Sequence, residues 1–343
     1  MKAVVKTQRG EGHVEYIDFP EPDPWPGTVK IQVKATGICG TDLHIFRDQF
    51  PSFPPVVLGH EFGGQIVALG QGVKNFQVGD NVMSELPVTP CRTCRYCKTG
   101  YQNLCPNRKG LGWSANGSFA KYMIAEEQML HLIPVGLGYD EAALCEPMAV
   151  AAYGVIELTG VQAGDIVYVS GPGPIGLLAA QAAKAEGAFV VIGGVDADSK
   201  RLALARELSI DRIINVMEED PAAVLQSLTQ GLGADVVFEC SGAEAAAAQC
   251  LNAVRPGGRY TQMGLFGKSI QLDFNRVVVK ELHVQGVFSS NWRSWDRALR
   301  LVSQGRVRLK PLISHRFPLS EWRQAFDLLW RREGLKVLLF PED

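Results

Sequence analysis

Several common features are missing from this 343-residue sequence, and each absence removes a class of function. It contains no run of about 18 or more apolar residues, so no helical membrane span is expected. Its first residues, MKAVVKTQRGEGHV, lack the apolar core and small-residue cleavage pattern of an export signal, and a cytoplasmic location is the expectation. A formal net charge of −2 gives no basic footprint for nucleic acid or an anionic membrane. Internal repeats, low-complexity tracts and long charged tails are absent. What remains is an ordinary globular composition, 46% hydrophobic and 20% charged, in a chain long enough for two domains with a core each.

Disulfides are not expected in a reducing compartment, so the eight cysteines are read first as metal ligands. Cys91, Cys94, Cys97 and Cys105 follow the spacing C-x2-C-x2-C-x7-C among basic and turn-forming neighbours. That describes a closed tetrahedral zinc site. A disulfide pair or an iron–sulfur cluster is the competing reading. The lobe around them, about 88–110, is short and polar and has no other means of building a core, which favours a structural zinc.

A second set of ligand types lies in the stretch Gly37–Glu61. Cys39, His60 and Glu61 supply a thiolate, an imidazole and a carboxylate, all of which zinc accepts. Adjacent residues of an extended chain point to opposite sides, so His60 and Glu61 reach one ion only where the chain bends. Thr41 and His44 lie between them without an evident core role. Taken singly, Cys39 reads as a small buried residue and His60 as a loop histidine. In company they read as a metal centre.

Residues 1 to about 35 alternate apolar and polar, as do GGQIVALG, VGDNVMSE and the stretch GSFAKYMIAEEQMLHLIP, so an irregular β-domain is expected. Near Tyr139 the pattern changes to DEAALCEPMAVAAYGVIEL, helical in spacing, with Glu146 just before Pro147. Beyond it IVYV, FVVIGGVD, RIINV, ADVVFEC, RYTQMGL and LHVQGVF read as six strands, with helical stretches between most of them. That is a parallel, doubly wound sheet. Gly171, Gly173 and Gly176 match G-x-G-x-x-G directly after the first of these strands and open a helix, the context in which such a turn cradles a pyrophosphate. Asp196 ends the second strand, where a carboxylate accepts hydrogen bonds from ribose hydroxyls and repels a 2′-phosphate; NAD is therefore expected over NADP. A helix N-cap is the alternative for Asp196. Arg201 is a candidate to pack on the adenosine. The final section, with amphipathic helices in WDRALRLVSQG and EWRQAFDLLWRREG, is expected to return to the β-domain.

Together these motifs resemble the zinc-containing medium-chain dehydrogenase/reductase family across essentially the whole chain. GICGTDLH, LGHE, the four-cysteine lobe, the EP dipeptide and GPGPIG occur in the family's order. The resemblance implies a GroES-like irregular β catalytic domain (1–150) split by a Rossmann NAD-binding domain (151–288), with 289–343 returning to the catalytic domain. It implies two zinc ions. One is catalytic, on Cys39, His60 and Glu61 with Glu146 a possible fourth ligand; the other is structural, on the four lobe cysteines. Thr41 would accept the substrate proton, His44 would relay it, and Glu146 would orient water or a second hydroxyl. The cofactor set comprises Gly171, Gly173, Pro174, Ile175, Gly176, Asp196, Arg201, Met263, Gly264, Leu265, Val287, Phe288 and Ser289. A small-molecule substrate and a homodimer or homotetramer are implied.

Glu146–Pro147, where alcohol dehydrogenases of the family carry cysteine, resembles the polyol (sorbitol-type) and threonine dehydrogenase branches. Ser289, Ser290, Asn291, Trp292 and Arg293 stand where sorbitol dehydrogenases have an arginine–tyrosine pair, and Ile45 stands where they have a tyrosine. Oxidation of a polyol or sugar alcohol is the first expectation, and L-threonine 3-dehydrogenase the second. A non-catalytic nucleotide-binding protein on the same fold is the reading from another class, disfavoured because Cys39, His60 and Thr41 are all present.

Overall fold

The computed structural model describes residues 1–86 and 89–342, so Val88, at the expected start of the lobe, lies outside the described residues. The chain divides into two compact units. The first comprises Met1–Glu146, Ser289–Trp292 and Leu312–Asp343, and the second Pro147–Phe288 and Arg293–Pro311.

Alternation of apolar and polar residues in the first unit yields the expected strands. Among the described residues, Lys2–Lys6 pairs with Val14–Asp18 and Val56–Val57 in a small antiparallel sheet. A larger sheet runs Ile313–Pro318, Lys336–Phe340, Thr28–Gly37, Glu61–Leu69, Asn81–Ser84, Leu130–Leu132, with Tyr122–Glu126 also paired to Thr28–Gly37. One core cluster joins Val4, Val5, Ile45, Leu58 and Phe119 to Trp322 and Phe326 of the C-terminal helix Trp322–Trp330. The last part of the chain is thereby built into the β-domain. The stretch GTDLHIF forms a short helix, Gly40–Phe46.

The second unit holds six parallel strands in the order Arg212–Asn215, Phe189–Gly194, Ile166–Ser170, Ala234–Glu239, Val254–Gln262, His283–Gly286. In sequence rank that is 3-2-1-4-5-6, the order of two mononucleotide-binding halves. The first strand leads into helix Pro174–Ala185, which has proline in its first turn, where a missing N–H costs nothing. Gly176 cannot be replaced here: a Cβ on it would lie 1.9 Å from the carbonyl oxygen of Gly171.

The division differs from expectation in two stretches. Residues 147–150 and 293–311 were expected with the first domain, and they fall in the second unit. Helix Trp292–Ser303 buries Trp295, Ala298 and Leu301. The segment after it is fixed by Gln181, whose side chain accepts from Arg308 N–H (2.9 Å) and donates to Arg308 O (3.3 Å). Amphipathic spacing tells that a helix has a buried face without telling which domain covers it.

Candidate metal and cofactor sites

In the lobe, the sulfur atoms of Cys91, Cys94, Cys97 and Cys105 all lie within 4.8 Å of one another. The Cys94–Cys97 and Cys91–Cys97 separations are 3.5 and 4.0 Å, and all eight cysteines are free thiols. Sulfur ligands at about 2.3 Å from a tetrahedral zinc stand roughly 3.8 Å apart, so the spacing fits a metal and excludes a disulfide. Backbone N–H groups already point at the sulfurs: Cys94 N–H at Cys91 (3.4 Å), Cys97 N–H at Cys94 (3.5 Å) and Cys91 N–H at Cys105 (3.4 Å). The Thr93 hydroxyl, helped by Cys94 N–H, lowers the Cys91 thiol to about 6. Burial and the neighbouring Cys94 thiol push Cys97 up to about 12.

The second group, Cys39, His60 and Glu61, also has its ligand atoms within 4.8 Å of one another. Local structure explains how neighbours in sequence bring their ligand atoms together. Gly59 sits at φ +87°, and a Cβ there would strike the Phe119 ring at 2.2 Å. The chain turns on this glycine, passes His60 and enters the strand at Glu61. Cys39 sits immediately before helix Gly40–Phe46. Asp42, fully buried in the first turn, accepts Cys39 N–H (2.9 Å) and Gly59 N–H (3.4 Å) and stands 3.8 Å from His60 Nδ1. It therefore braces both ligand-bearing segments.

Two further charged groups converge on this cluster. Lys336 Nζ donates to both Glu61 oxygens (2.8 and 2.6 Å) and to Ile38 O (3.2 Å), with the lysine and glutamate side chains 3% and 1% exposed. Burial opposes the Lys336 ammonium, and Glu61 and Cys39 more than offset it, so its pKa lies above the usual value. Glu146 is buried, and its Oε1 has no hydrogen-bond partner. Burial pushes its carboxyl up to about 8, His60 and Lys336 pulling down while Glu61 and Cys39 push up. Burial and the Glu61 carboxylate likewise hold the Cys39 thiol up at about 12. An orphaned buried oxygen beside a thiol, an imidazole and a second carboxylate is a donor set that a divalent cation satisfies.

Thr41 Oγ1 lies 3.7 Å from Cys39 Sγ. His44 Nδ1 is 3.0 Å from Gln49 Oε1, and an Nδ1–H donated to that oxygen leaves Nε2 as the proton acceptor.

In the second unit, Gly171, Gly173, Pro174, Ile175 and Gly176 form the turn into helix Pro174–Ala185. Asp196 follows the neighbouring strand, is exposed, and accepts Asn215 Nδ2–H at 2.7 Å. The residue preceding helix Ser199–Glu207 as its N-cap is Asp198, so Asp196 is free of that role. Arg201 pairs with Asp198 at 3.2 Å. Met263, Gly264 and Leu265 follow strand Val254–Gln262, and Val287 and Phe288 follow His283–Gly286. Ser289 is counted in the first unit, at the point where the chain leaves the second. Asp42, Gln49, Asn215 and Lys336 were missed by sequence reasoning. One of them left a signal: an acid three residues after Cys39.

Residues 25–135 match the family model described as alcohol dehydrogenase GroES-like domain, and residues 174–304 the one described as zinc-binding dehydrogenase. The chain is 46% identical to a sorbitol dehydrogenase of Halalkalibacterium halodurans, over 100% of both chains. It is 40% identical to a D-arabitol-phosphate dehydrogenase of Enterococcus avium, over 99% of this chain and 97% of the relative. An L-threonine 3-dehydrogenase of Thermococcus kodakarensis is 37% identical, over 99% of this chain and 98% of the relative.

Proposed function

We propose, for a chain that belongs to the zinc-containing medium-chain dehydrogenase/reductase family, that it reversibly oxidises a secondary hydroxyl of a polyol or sugar alcohol to the ketone. The observation that carries this reading is Glu146, a buried carboxyl with an unpartnered oxygen beside Cys39, His60 and Glu61. A polyol offers a second hydroxyl to such a group, and a simple alcohol does not. The sorbitol and arabitol-phosphate dehydrogenases among the relatives agree with it.

Cys39, His60 and Glu61, with Glu146 as a further donor, would hold the catalytic zinc, and the four lobe cysteines the structural one. Catalytic zinc held there would supply Lewis acidity toward the substrate oxygen, and NAD in the second unit would supply the hydride acceptor. Thr41 would take the proton of the substrate hydroxyl as it gives up its own, and His44, its ring fixed by Gln49, would take up the released proton and pass it to solvent. Asp196, held by Asn215, receives the adenosine ribose hydroxyls and sets the preference for NAD. The first unit is in this reading the catalytic domain and the second the cofactor domain.

The L-threonine 3-dehydrogenase relative supports a second reading, in which an amine replaces the second hydroxyl and Arg293 receives the carboxylate. NAD reduction measured with pentitols, hexitols, their phosphates, threonine, 2,3-butanediol and ethanol decides between them. A polyol or polyol phosphate should lead ethanol by about ten- to a hundredfold in kcat/KM, the value of one hydrogen bond to a charged group. Ethanol ranking first would remove the role given to Glu146; threonine ranking first would establish the second reading.

The same reading includes a homodimer or homotetramer. Strand His283–Gly286 is an edge strand of its sheet, and its own Val284 is exposed, as are Val278 and Val279 shortly before it. It also includes a cytoplasmic location, which the eight free thiols suit. Among the described residues no helix is long and apolar enough to cross a membrane.

A further inference from the structure

Glu239 ends the fourth strand of the parallel sheet, and among the described residues of this unit it is the one buried side chain of a charged residue type. A carboxylate is tolerated in such a place only when its oxygens are supplied with donors. Here Oε1 accepts Ser241 N–H (2.8 Å), the Ser241 hydroxyl and Gly242 N–H (3.1 Å), and Oε2 accepts Gly242 N–H (3.1 Å) and Gln262 Nε2–H (2.6 Å). The Glu239 carbonyl accepts the N–H groups of Met263 (2.8 Å) and Gly264 (2.9 Å). One residue therefore grips two loops at once: the one after its own strand and the one after the next.

Those loops are packed without slack. A Cβ on Gly264 would lie 2.3 Å from Gly242 N and 2.8 Å from Glu239 Oε2, and one on Gly242 would lie 2.2 Å from Leu265 O. The Ser241 side of the same assembly abuts the glycine-rich turn, where a Cβ on Gly171 would be 2.8 Å from that of Ser241. Gly171 itself is held from the other side by Gly193 O (2.9 Å).

The sheet order says which end of the cofactor these loops serve. The glycine turn and Asp196 follow the strands Ile166–Ser170 and Phe189–Gly194, so that half takes the adenosine. Ala234–Glu239 and Val254–Gln262 belong to the other mononucleotide half, which takes the nicotinamide. We infer that Glu239 is a positioning residue for the nicotinamide half of NAD, setting the loops Ser241–Gly242 and Met263–Leu265 through its carboxylate. This rests on the reading of the second unit as the NAD domain.

The test compares NADH with ADP-ribose, which lacks the nicotinamide, by titration calorimetry on the full-length holoenzyme. Glu239→Gln keeps the shape but places an amide N–H against Gly242 N–H or the Gln262 amide. The expected result is a NADH Kd raised about tenfold, with the ADP-ribose Kd changed by less than about twofold. Ser241→Ala removes one donor, leaves the carboxylate in place and is the variant to use if Glu239→Gln does not fold. It should raise the NADH Kd about threefold, with the same indifference to ADP-ribose. An unchanged NADH Kd, or equal weakening of both ligands, would overturn the assignment while leaving the NAD reading intact. Wild-type protein that binds neither ligand would overturn both.

Discussion

The four-cysteine lobe and the Cys39–His60–Glu61 cluster both gather zinc-ligand side chains in the same unit, and they are assembled by opposite means. The lobe draws its four sulfurs from Cys91 to Cys105, three of them half-buried, and orients them with N–H groups of the same segment. The second cluster draws Cys39 from the start of a helix, His60 and Glu61 from a glycine turn, Glu146 from the end of the first unit's main segment, and Lys336 from the last strand. The lobe is four like groups, which one dication would close into a full tetrahedral set. The cluster is buried and of mixed sign, with Lys336 already holding Glu61 and Glu146 left with an unpartnered oxygen. A closed set of thiolates suits a metal that holds a fold, whereas an incomplete set with a free carboxyl suits one that must also meet a substrate.

The largest effect that would separate the two is on activity. Cys39→Ser should leave one zinc per chain by elemental analysis and lower turnover roughly 10³-fold or more, because several kcal/mol of Lewis-acid stabilisation is lost. Its far-ultraviolet dichroism should match the parent. Cys94→Ser should also leave one zinc, keep most of the activity, and make the segment around 91–105 sensitive to protease. Loss of both metals from either variant would mean that the two centres form one cooperative unit, and the contrast drawn above would fail.

The contrast also explains what could be read from the sequence. The lobe was legible because its ligands are local, and spacing alone specifies a tetrahedral site. The glycine turn and the alternation of six strands with helices were legible because each strand and helix carries its own period and punctuation. Cys39, His60 and Glu61 were legible as ligand types in one stretch. Lys336 was not, because it meets Glu61 across 275 residues and nothing near it in sequence points to that carboxylate. Helix Trp292–Ser303 was recognised as amphipathic and placed with the wrong unit, since its pattern carries no address.

A smaller effect is expected on stability. Removing one partner of a buried ion pair costs about 3–5 kcal/mol, because the remaining charge is stranded. Lys336→Met should accordingly lower the melting temperature and loosen the catalytic metal, and Lys336→Met combined with Glu61→Gln should recover part of the loss. Beside the lobe, Arg92 pairs with Glu126 with its side chain 51% exposed, so Arg92→Ala should cost under about 1 kcal/mol. Equal melting shifts from Lys336→Met and Arg92→Ala would show that burial does not distinguish the two surroundings.

The smallest effect is a change in pH dependence, and it isolates Glu146 from the rest of the cluster. In metal-stripped protein, burial raises this carboxyl to about 8, above the range of an unfolded glutamate. The folded state then binds the proton more tightly than the unfolded chain does. Its contribution to stability is full below the unfolded pKa and is lost as pH climbs through about 8. Melting temperatures of the metal-free protein should therefore fall between about pH 5 and 8. Glu146→Gln, neutral throughout, should flatten that decline and melt above the parent at the alkaline end. With zinc restored the parent's decline should shrink, since a cation favours the carboxylate and draws its pKa down. The lobe variant Cys94→Ser should retain the full decline when stripped of metal. If the metal-free parent and Glu146→Gln show the same slope, Glu146 is ionised in the fold at neutral pH, and its unpartnered oxygen must be accounted for by another group.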